Sequence, residues 1–483
     1  MARPSDQRIP AASTSSIRNQ RRAVRWPYGL LLGSLAILSV LTSPRPAHAV
    51  PSFARQTGQP CQSCHTVFPE LTPYGRRFKL GGYTQSVVPQ IRAGEEAGEN
   101  LLSLNQLAPL SAMLVASFTR TQRALPDITL PDATSQNGQV LFPQEASLFY
   151  AGRITPNVGA FLQLTYESGS GSVGLDNSDL RFATPLDDRT LVIGASLNNN
   201  PTVQDVWNTT PAWQVPFNMS SASAPVPAAA TQIDQVLAQN VAGLSVYAFW
   251  LDSFYAELGG YRSAPQGFEN PNNGQPGPLN SAASNVVDGV APYWRLAYER
   301  NWAQESLMVG AYGLQTRQLP GNGVSLSGPT DNFSDIAVDA QFQHIAEKHV
   351  VSLQATHIRE RQQRDASLAL GTSSSSSLDL HTTRLGASYY YRRRYGAALG
   401  YFDTSGTADP MLYAANPVFG SASGSPDSRG WRAELDYLPW QNVKIGLQYT
   451  AYTRFNGGTT NYDGFGRNAS DNNTLYLFAW LAF

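Results

Sequence analysis

Cysteine is almost missing from this sequence: 483 residues contain two, Cys61 and Cys64. A structural zinc site takes four ligands. Cys61, Cys64 and His65 supply three, with no fourth histidine or cysteine nearby. Lysine is scarce too, with only Lys79, Lys348 and Lys444, so nearly all positive charge is arginine. Long apolar runs are lacking: Tyr28 to Leu41 spans about 14 residues where a membrane-crossing helix needs about 20, and no later segment comes closer. There is no excess of basic charge, with 34 Lys and Arg against 35 Asp and Glu, which argues against nucleic acid as a partner.

What is present begins with an export signal. Arg18, Arg21, Arg22 and Arg25 precede the Tyr28–Leu41 run, and Ala47-His48-Ala49 fits a small-residue cleavage pattern. Arg21-Arg22 has poor flanks for a twin-arginine signal. Residues 1–49 are expected to be a cleaved signal peptide. They hold seven arginines and one aspartate, so the mature chain keeps 27 basic and 34 acidic residues, a net charge of −7.

Cys61-Gln62-Ser63-Cys64-His65 reads C-x-x-C-H, the attachment pattern of a c-type haem. The two thiols add to the haem vinyl groups as thioethers, and His65 is then held under the iron as its proximal ligand. A thioredoxin-like motif would want a βαβ context, and none surrounds this one. An exported chain also reaches the compartment that haem attachment requires. One covalent haem c on Cys61, Cys64 and His65 is the expectation.

From about Leu110 onward the pattern changes to segments with alternating apolar and polar side chains, as in Val443-Lys444-Ile445-Gly446-Leu447-Gln448-Tyr449-Thr450. Period-two alternation marks strands with different environments on their two faces. Sixteen are expected: 110–121, 144–154, 157–168, 176–184, 189–198, 239–249, 252–262, 289–300, 303–316, 332–346, 348–361, 379–392, 395–405, 428–438, 442–455 and 473–483. Their connections alternate between short, such as Thr155-Pro156, Leu251, Asn301-Trp302 and Glu347, and long, such as 122–143, 199–238 and 406–427. Leu475, Leu477, Ala479, Leu481 and the final Phe483 share one apolar face. Even strand number, tight turns at one end and long loops at the other are the features of an outer-membrane β-barrel. A soluble sandwich or propeller requires neither the alternation nor the closing strand.

The fold expected is therefore all-β: residues 106–483 as a sixteen-stranded barrel, preceded by a small, mostly helical or irregular haem domain at 50–105. Fewer than sixty residues make a weak independent core, so this domain is expected to sit in the periplasmic mouth or lumen. Strand parity aims Arg295, Glu299, Asp335, Asp339, Arg432, Glu434 and Asp436 inward, into an interior expected to be solvated or plugged. Trp294, Trp302, Trp440 and Trp480 are expected as interfacial aromatics without a redox role. His344, His349, His357 and His381 scatter over three strands with no ligand spacing.

The run Pro51-Ser52-Phe53-Ala54-Arg55-Gln56-Thr57-Gly58, the haem motif, and Phe68-Pro69-Glu70-Leu71-Thr72-Pro73-Tyr74-Gly75-Arg76-Arg77-Phe78-Lys79-Leu80 closely resemble the fused outer-membrane cytochrome–porins of iron-oxidising bacteria. The stretch from Asn200 to Trp213 also looks like that family. The specific motifs cover about thirty residues, and the architecture matches across the mature chain. The resemblance implies oxidation of extracellular Fe²⁺ at the cell surface, with the electron passed to a periplasmic c-type cytochrome or other carrier. A haem-bearing porin for small solutes, and electron export to an external acceptor, are the other readings of the same parts. The first domain has no methionine of its own, the next being Met113 on the first strand, which parity aims inward as a candidate sixth iron ligand. An ordinary barrel-wall methionine is the other reading of Met113; Lys79 is a poorer candidate, and an iron with five ligands is a further reading.

Overall fold

The structure, a computed structural model, describes residues 51–93, 102–126, 137–168, 171–186, 190–210, 218–220, 225–264, 286–320 and 328–483. The expected signal peptide at 1–49 and Trp213 lie outside the described residues.

Sixteen long strands close into one antiparallel barrel. They are β1 Leu110–Thr121, β2 Gln139–Thr155, β3 Val158–Glu167, β4 Ser172–Leu186, β5 Leu191–Asn198, β6 Val241–Trp250, β7 Phe254–Ser263 and β8 Ala291–Trp302. The circuit continues with β9 Glu305–Leu319, β10 Asp331–Ile345, β11 His349–Gln363, β12 Ser377–Tyr391, β13 Tyr395–Gly406, β14 Ser428–Trp440, β15 Val443–Arg454 and β16 Thr474–Ala482. Each pairs with its neighbours in sequence, and β16 returns to β1 with Leu477 opposite Phe118. Phe483 and Ala112 exchange two backbone hydrogen bonds, of 2.7 and 2.9 Å, so the last residue seals the seam. Closure leaves no unpaired edge.

Some expected boundaries shift. The fourth strand begins at Ser172 instead of 176, so the connection before it is shorter than the expected strands imply. The turn expected at Asn301-Trp302 lies at Ala303-Gln304, because Trp302 still pairs with Glu305. Here strand register, not local residue preference, sets where the chain reverses.

The barrel is inside out relative to a soluble protein. Leu244, Val246, Leu258, Leu296, Ile336, Val338 and Leu435 stand exposed on its outer wall, the last at 62 %. Alternate residues on the same strands, such as Arg432, Glu434 and Asp436 on β14, are buried inside. At the short-turn end the outer wall carries aromatics: Trp250 lies 5.9 Å from Phe254, which lies 5.1 Å from Tyr298. No helix among the described residues is long and apolar enough to cross a membrane.

Segments of the chain itself occupy much of the lumen, leaving a cavity between Asp234, Arg384, Arg432 and Tyr452. Helices α1 (Pro51–Thr57), α2 (Cys61–Cys64) and α3 (Pro73–Leu80) lie inside the short-turn end. Residues 199–210 and 225–240 fold against the inner faces of β4 to β15. Of the solvated or plugged interior expected, the described residues give the plugged one. Arg295 pairs with Asp339 at 2.5 Å, Lys444 with Glu434 at 2.7 Å, and Arg76 of α3 with Glu299 at 2.8 Å. Charges covered by protein need such partners, since an unpaired ion deep inside costs several kcal/mol (roughly).

Candidate functional site

Residues 51–83 have little core of their own. Phe53 stacks on Tyr83 at 5.2 Å and meets the edge of Phe78 at 5.1 Å. The rest of the apolar packing comes from the barrel wall, through Met113, Val115, Phe149, Phe161, Tyr476 and Phe478. That solves the problem of a domain too small to bury its own surface.

Helix α3 starts at Thr72, whose Oγ1 accepts the Gly75 amide at 3.2 Å, with Pro73 at the first helical position. The Thr72 side chain also donates to the Ser63 carbonyl at 2.6 Å, and its amide to the Cys64 carbonyl at 2.9 Å. The cap therefore ties α3 to the cysteine motif. Gly75 permits the approach: a Cβ there would lie 2.2 Å from the Cys64 oxygen.

Arg76 fastens α3 to the wall. Besides its ion pair with Glu299, it donates to Gln341 at 3.1 Å, Gln343 at 3.0 Å and Ser306 at 2.7 Å. Glu70 is buried and accepts from Thr66 at 2.9 Å and Gln343 at 2.8 Å, and burial raises its pKa. At the rim, Arg393 of the β12–β13 turn donates to the Gln62 carbonyl at 2.9 Å. Sequence reasoning missed Arg76 and Arg393 as positioning groups, because their partners lie more than two hundred residues away.

The structure brings Cys61, Cys64, His65 and Met113 to one cavity. Its empty volume is about 1080 Å³, mouth included, and aromatic walls come from Phe53, Phe78, Phe149, Phe161 and Trp480. A pocket with apolar, aromatic walls suits a large flat ligand. Cys61 and Cys64 stand at i and i+3 of α2, on one face of the helix. Burial pushes their thiols up to about 12 and about 11. Neither is the lowered, exposed thiolate of a thiol–disulfide oxidoreductase.

Burial also pushes His65 down to about 4, so its imidazole is neutral. Its Nδ1 lies 3.2 Å from the Pro69 carbonyl. A carbonyl only accepts, so Nδ1 carries the proton and Nε2 keeps a lone pair. Orientation of a ligating imidazole through its other nitrogen is the usual arrangement at metal centres. Phe68 stacks on the His65 ring at 4.4 Å. Apolar walls, two thiols on one helical face and an oriented neutral imidazole fit a covalent c-type haem.

Met113 is 6 % exposed and faces inward with Ser111, Val115 and Ser117. Trp480 corrects the expectation of an interfacial aromatic. It shares the inward parity of Tyr476 and Phe478, lines the cavity, and lies 6.0 Å from Phe68. The alternation of β16 already contained that signal. His357 and His381 stack at 5.9 Å on the outer wall, away from the cavity. Among the described residues, no group of three or more His, Cys, Asp or Glu could hold a metal ion.

No protein-family model matches the chain, and no curated protein matches it. Solved barrels are similar in outline. The outer-membrane channel DcaP of Acinetobacter baumannii is 10 % identical, with 77 % of this chain and 96 % of that one covered at a TM-score of 0.43. OprB of Pseudomonas putida is 11 % identical, covering 77 % and 94 %, at 0.43. OmpF of Salmonella typhi, in complex with daunomycin, is 12 % identical, covering 77 % and 97 %, at 0.40. Likenesses this slight carry no argument about function.

Proposed function

We propose that this chain is an outer-membrane electron conduit that takes one electron from extracellular Fe²⁺ and delivers it to a periplasmic c-type cytochrome or comparable carrier. The observation that carries the reading is the convergence of Cys61, Cys64 and His65 on an apolar cavity inside a closed barrel. The apolar outer wall and aromatic girdle support insertion in an outer membrane, with the short turns periplasmic. Cys61 and Cys64 would hold a haem c as thioethers, His65 would be its proximal ligand and Met113 its distal one. When bound, that group supplies a reversible one-electron couple.

The chain's own residues do the rest. His65 is kept neutral by burial and oriented by Pro69 and Phe68. Phe53, Phe78, Phe149 and Phe161 exclude water from the cavity wall. Arg76 and Arg393 hold the motif at the end of the barrel from which a periplasmic carrier would approach. Each Fe²⁺ oxidised to Fe³⁺ outside releases one electron, and one molecule of oxidised carrier is reduced inside. Ferric iron, poorly soluble at neutral pH, then forms outside the cell.

A closed sixteen-strand barrel is also a channel architecture, and that fold by itself supports small-solute passage. The segments 199–210 and 225–240 lying across the lumen oppose it. Purified protein in detergent is expected to show a c-type haem spectrum, to be reduced by Fe²⁺ within seconds, and to pass little solute in liposomes. A haem inert to Fe²⁺ in a protein with large solute flux would establish the porin reading instead.

A further inference from the structure

Lys79 stands out in the cavity wall. It is one of three lysines in the chain, half-buried, and it borders the same cavity as Cys61, Cys64 and His65. Its Nζ donates to the Val203 carbonyl, and among the described residues no carboxylate lies within ion-pairing distance of it. The acidic groups in its neighbourhood are committed elsewhere. Asp179 accepts from Arg181 at 2.7 Å, Tyr83 at 2.7 Å and Ser196 at 2.8 Å. Asp205 faces Arg295 at 3.4 Å and accepts the Trp207 and Thr209 amides. Glu257 accepts from Tyr255 at 2.8 Å. Arg181, also nearby, adds like charge, and burial with that charge lowers the Lys79 pKa to about 8.

An ammonium in an apolar cavity wall without a carboxylate is costly, unless its counter-ion arrives with the ligand. Val203 and Asn208, from the segment that fills the lumen, border the cavity beside it. The rim-side contacts of the cysteine motif, Gln441 and Arg393, belong to short turns.

We propose that Lys79 is the ionic anchor for a carboxylate of the bound group, a haem propionate, and so sets which edge of the macrocycle points away from the short-turn rim. The inference rests on the haem reading above. Lys79 is a positioning residue in it, acting on the cofactor's carboxylate and not on the iron.

The test compares wild type, Lys79→Met and Lys79→Arg as full-length protein by spectroelectrochemical titration across the neutral pH range. Loss of a cation beside the propionate stabilises the oxidised state. Lys79→Met should therefore lower the midpoint potential and make it fall with rising pH where the wild type is flat. Lys79→Arg should restore the wild-type profile. Unchanged potential and pH profile in Lys79→Met would overturn the assignment, and so would altered axial-ligand bands, which would make Lys79 an iron ligand. Should Lys79→Met fail to assemble, the wild type alone decides. Its resonance-Raman propionate bands should be those of an ion-paired carboxylate and stay constant through neutral pH, and a shift there would refute the pairing. Wild-type protein without covalent haem would instead remove the reading on which the inference stands.

Discussion

Arg76 of the inner segment and Glu299 of β8 form an ion pair of 2.8 Å at 2 % and 3 % exposure, across 223 residues of sequence. Glu299 also accepts from Trp207 Nε1 at 2.5 Å, so one wall carboxylate holds both the helix bearing Lys79 and the segment filling the lumen. The energetic consequence is asymmetric, because removing one partner strands the other in a covered site.

Arg76→Met should destabilise the closed lumen by about 3–5 kcal/mol, the usual cost of breaking one side of a buried pair. Glu299→Gln, which keeps hydrogen-bonding capacity, should cost less. Limited proteolysis of residues 51–83 and solute flux in liposomes both read the loss. Unchanged protease resistance in Arg76→Met would show that the wall's apolar contacts suffice.

Met113→Ala is expected to leave covalent haem content intact while lowering the reduction potential and changing the ferric spectrum, since a thioether ligand raises the potential. Met113→His should restore a six-coordinate spectrum at a lower potential than wild type. An identical spectrum and potential in Met113→Ala would make Met113 an ordinary wall residue.

The long-loop end has its own fastening. Asp409 accepts from the Ser373 hydroxyl at 2.6 Å and from the Ser374, Met411 and Leu412 amides at 2.8 to 3.0 Å. Burial alone would raise its pKa, but these bonds prevail and hold it well below the usual carboxylate value. A depressed folded pKa gives stability that is complete above the unfolded value and is lost as pH falls below it. Protection from hydrogen exchange at Met411 and Leu412, taken relative to the intrinsic rate at each pH, should therefore fall on acidification below about pH 4. Asp409→Asn should show the reduced protection already at neutral pH, and equal protection at both pH values in the wild type would argue against the clasp.

Glu299, Asp335, Asp339, Glu434 and Asp436 are all buried, and four of the five have cationic partners. No single neutralisation among them is expected to abolish iron oxidation, although several should lower thermal stability. His65→Ala, Cys61→Ala or Cys64→Ala should abolish it through loss of the held haem. One carboxylate variant with normal haem and stability but no iron oxidation would reveal a discrete iron site.

Strand positions were legible because a barrel wall has two solvents, one on each face, and each strand records both in its alternation. Residues such as Leu435 and Glu434 could be sorted to opposite faces by parity alone. Met113 was legible in the same way, and Trp480 was equally so once parity is applied to β16. Arg76, Trp207 and Lys79 were not. Each sits in irregular or short helical structure, where no period exists to say which way a side chain points.

The amino-acid sequence by itself determined the number of strands, their inward and outward faces, the closing strand at Phe483 and the C-x-x-C-H motif. These are local properties, carried by the pleat of a strand or the spacing within one helical turn. Only the tertiary structure decided that the lumen is plugged instead of solvated, and that Arg76 meets Glu299. It alone decided that Cys61, Cys64, His65, Lys79 and Met113 share one cavity. Those outcomes depend on burial and charge pairing between segments far apart in the chain, and only closure of the barrel brings such segments together.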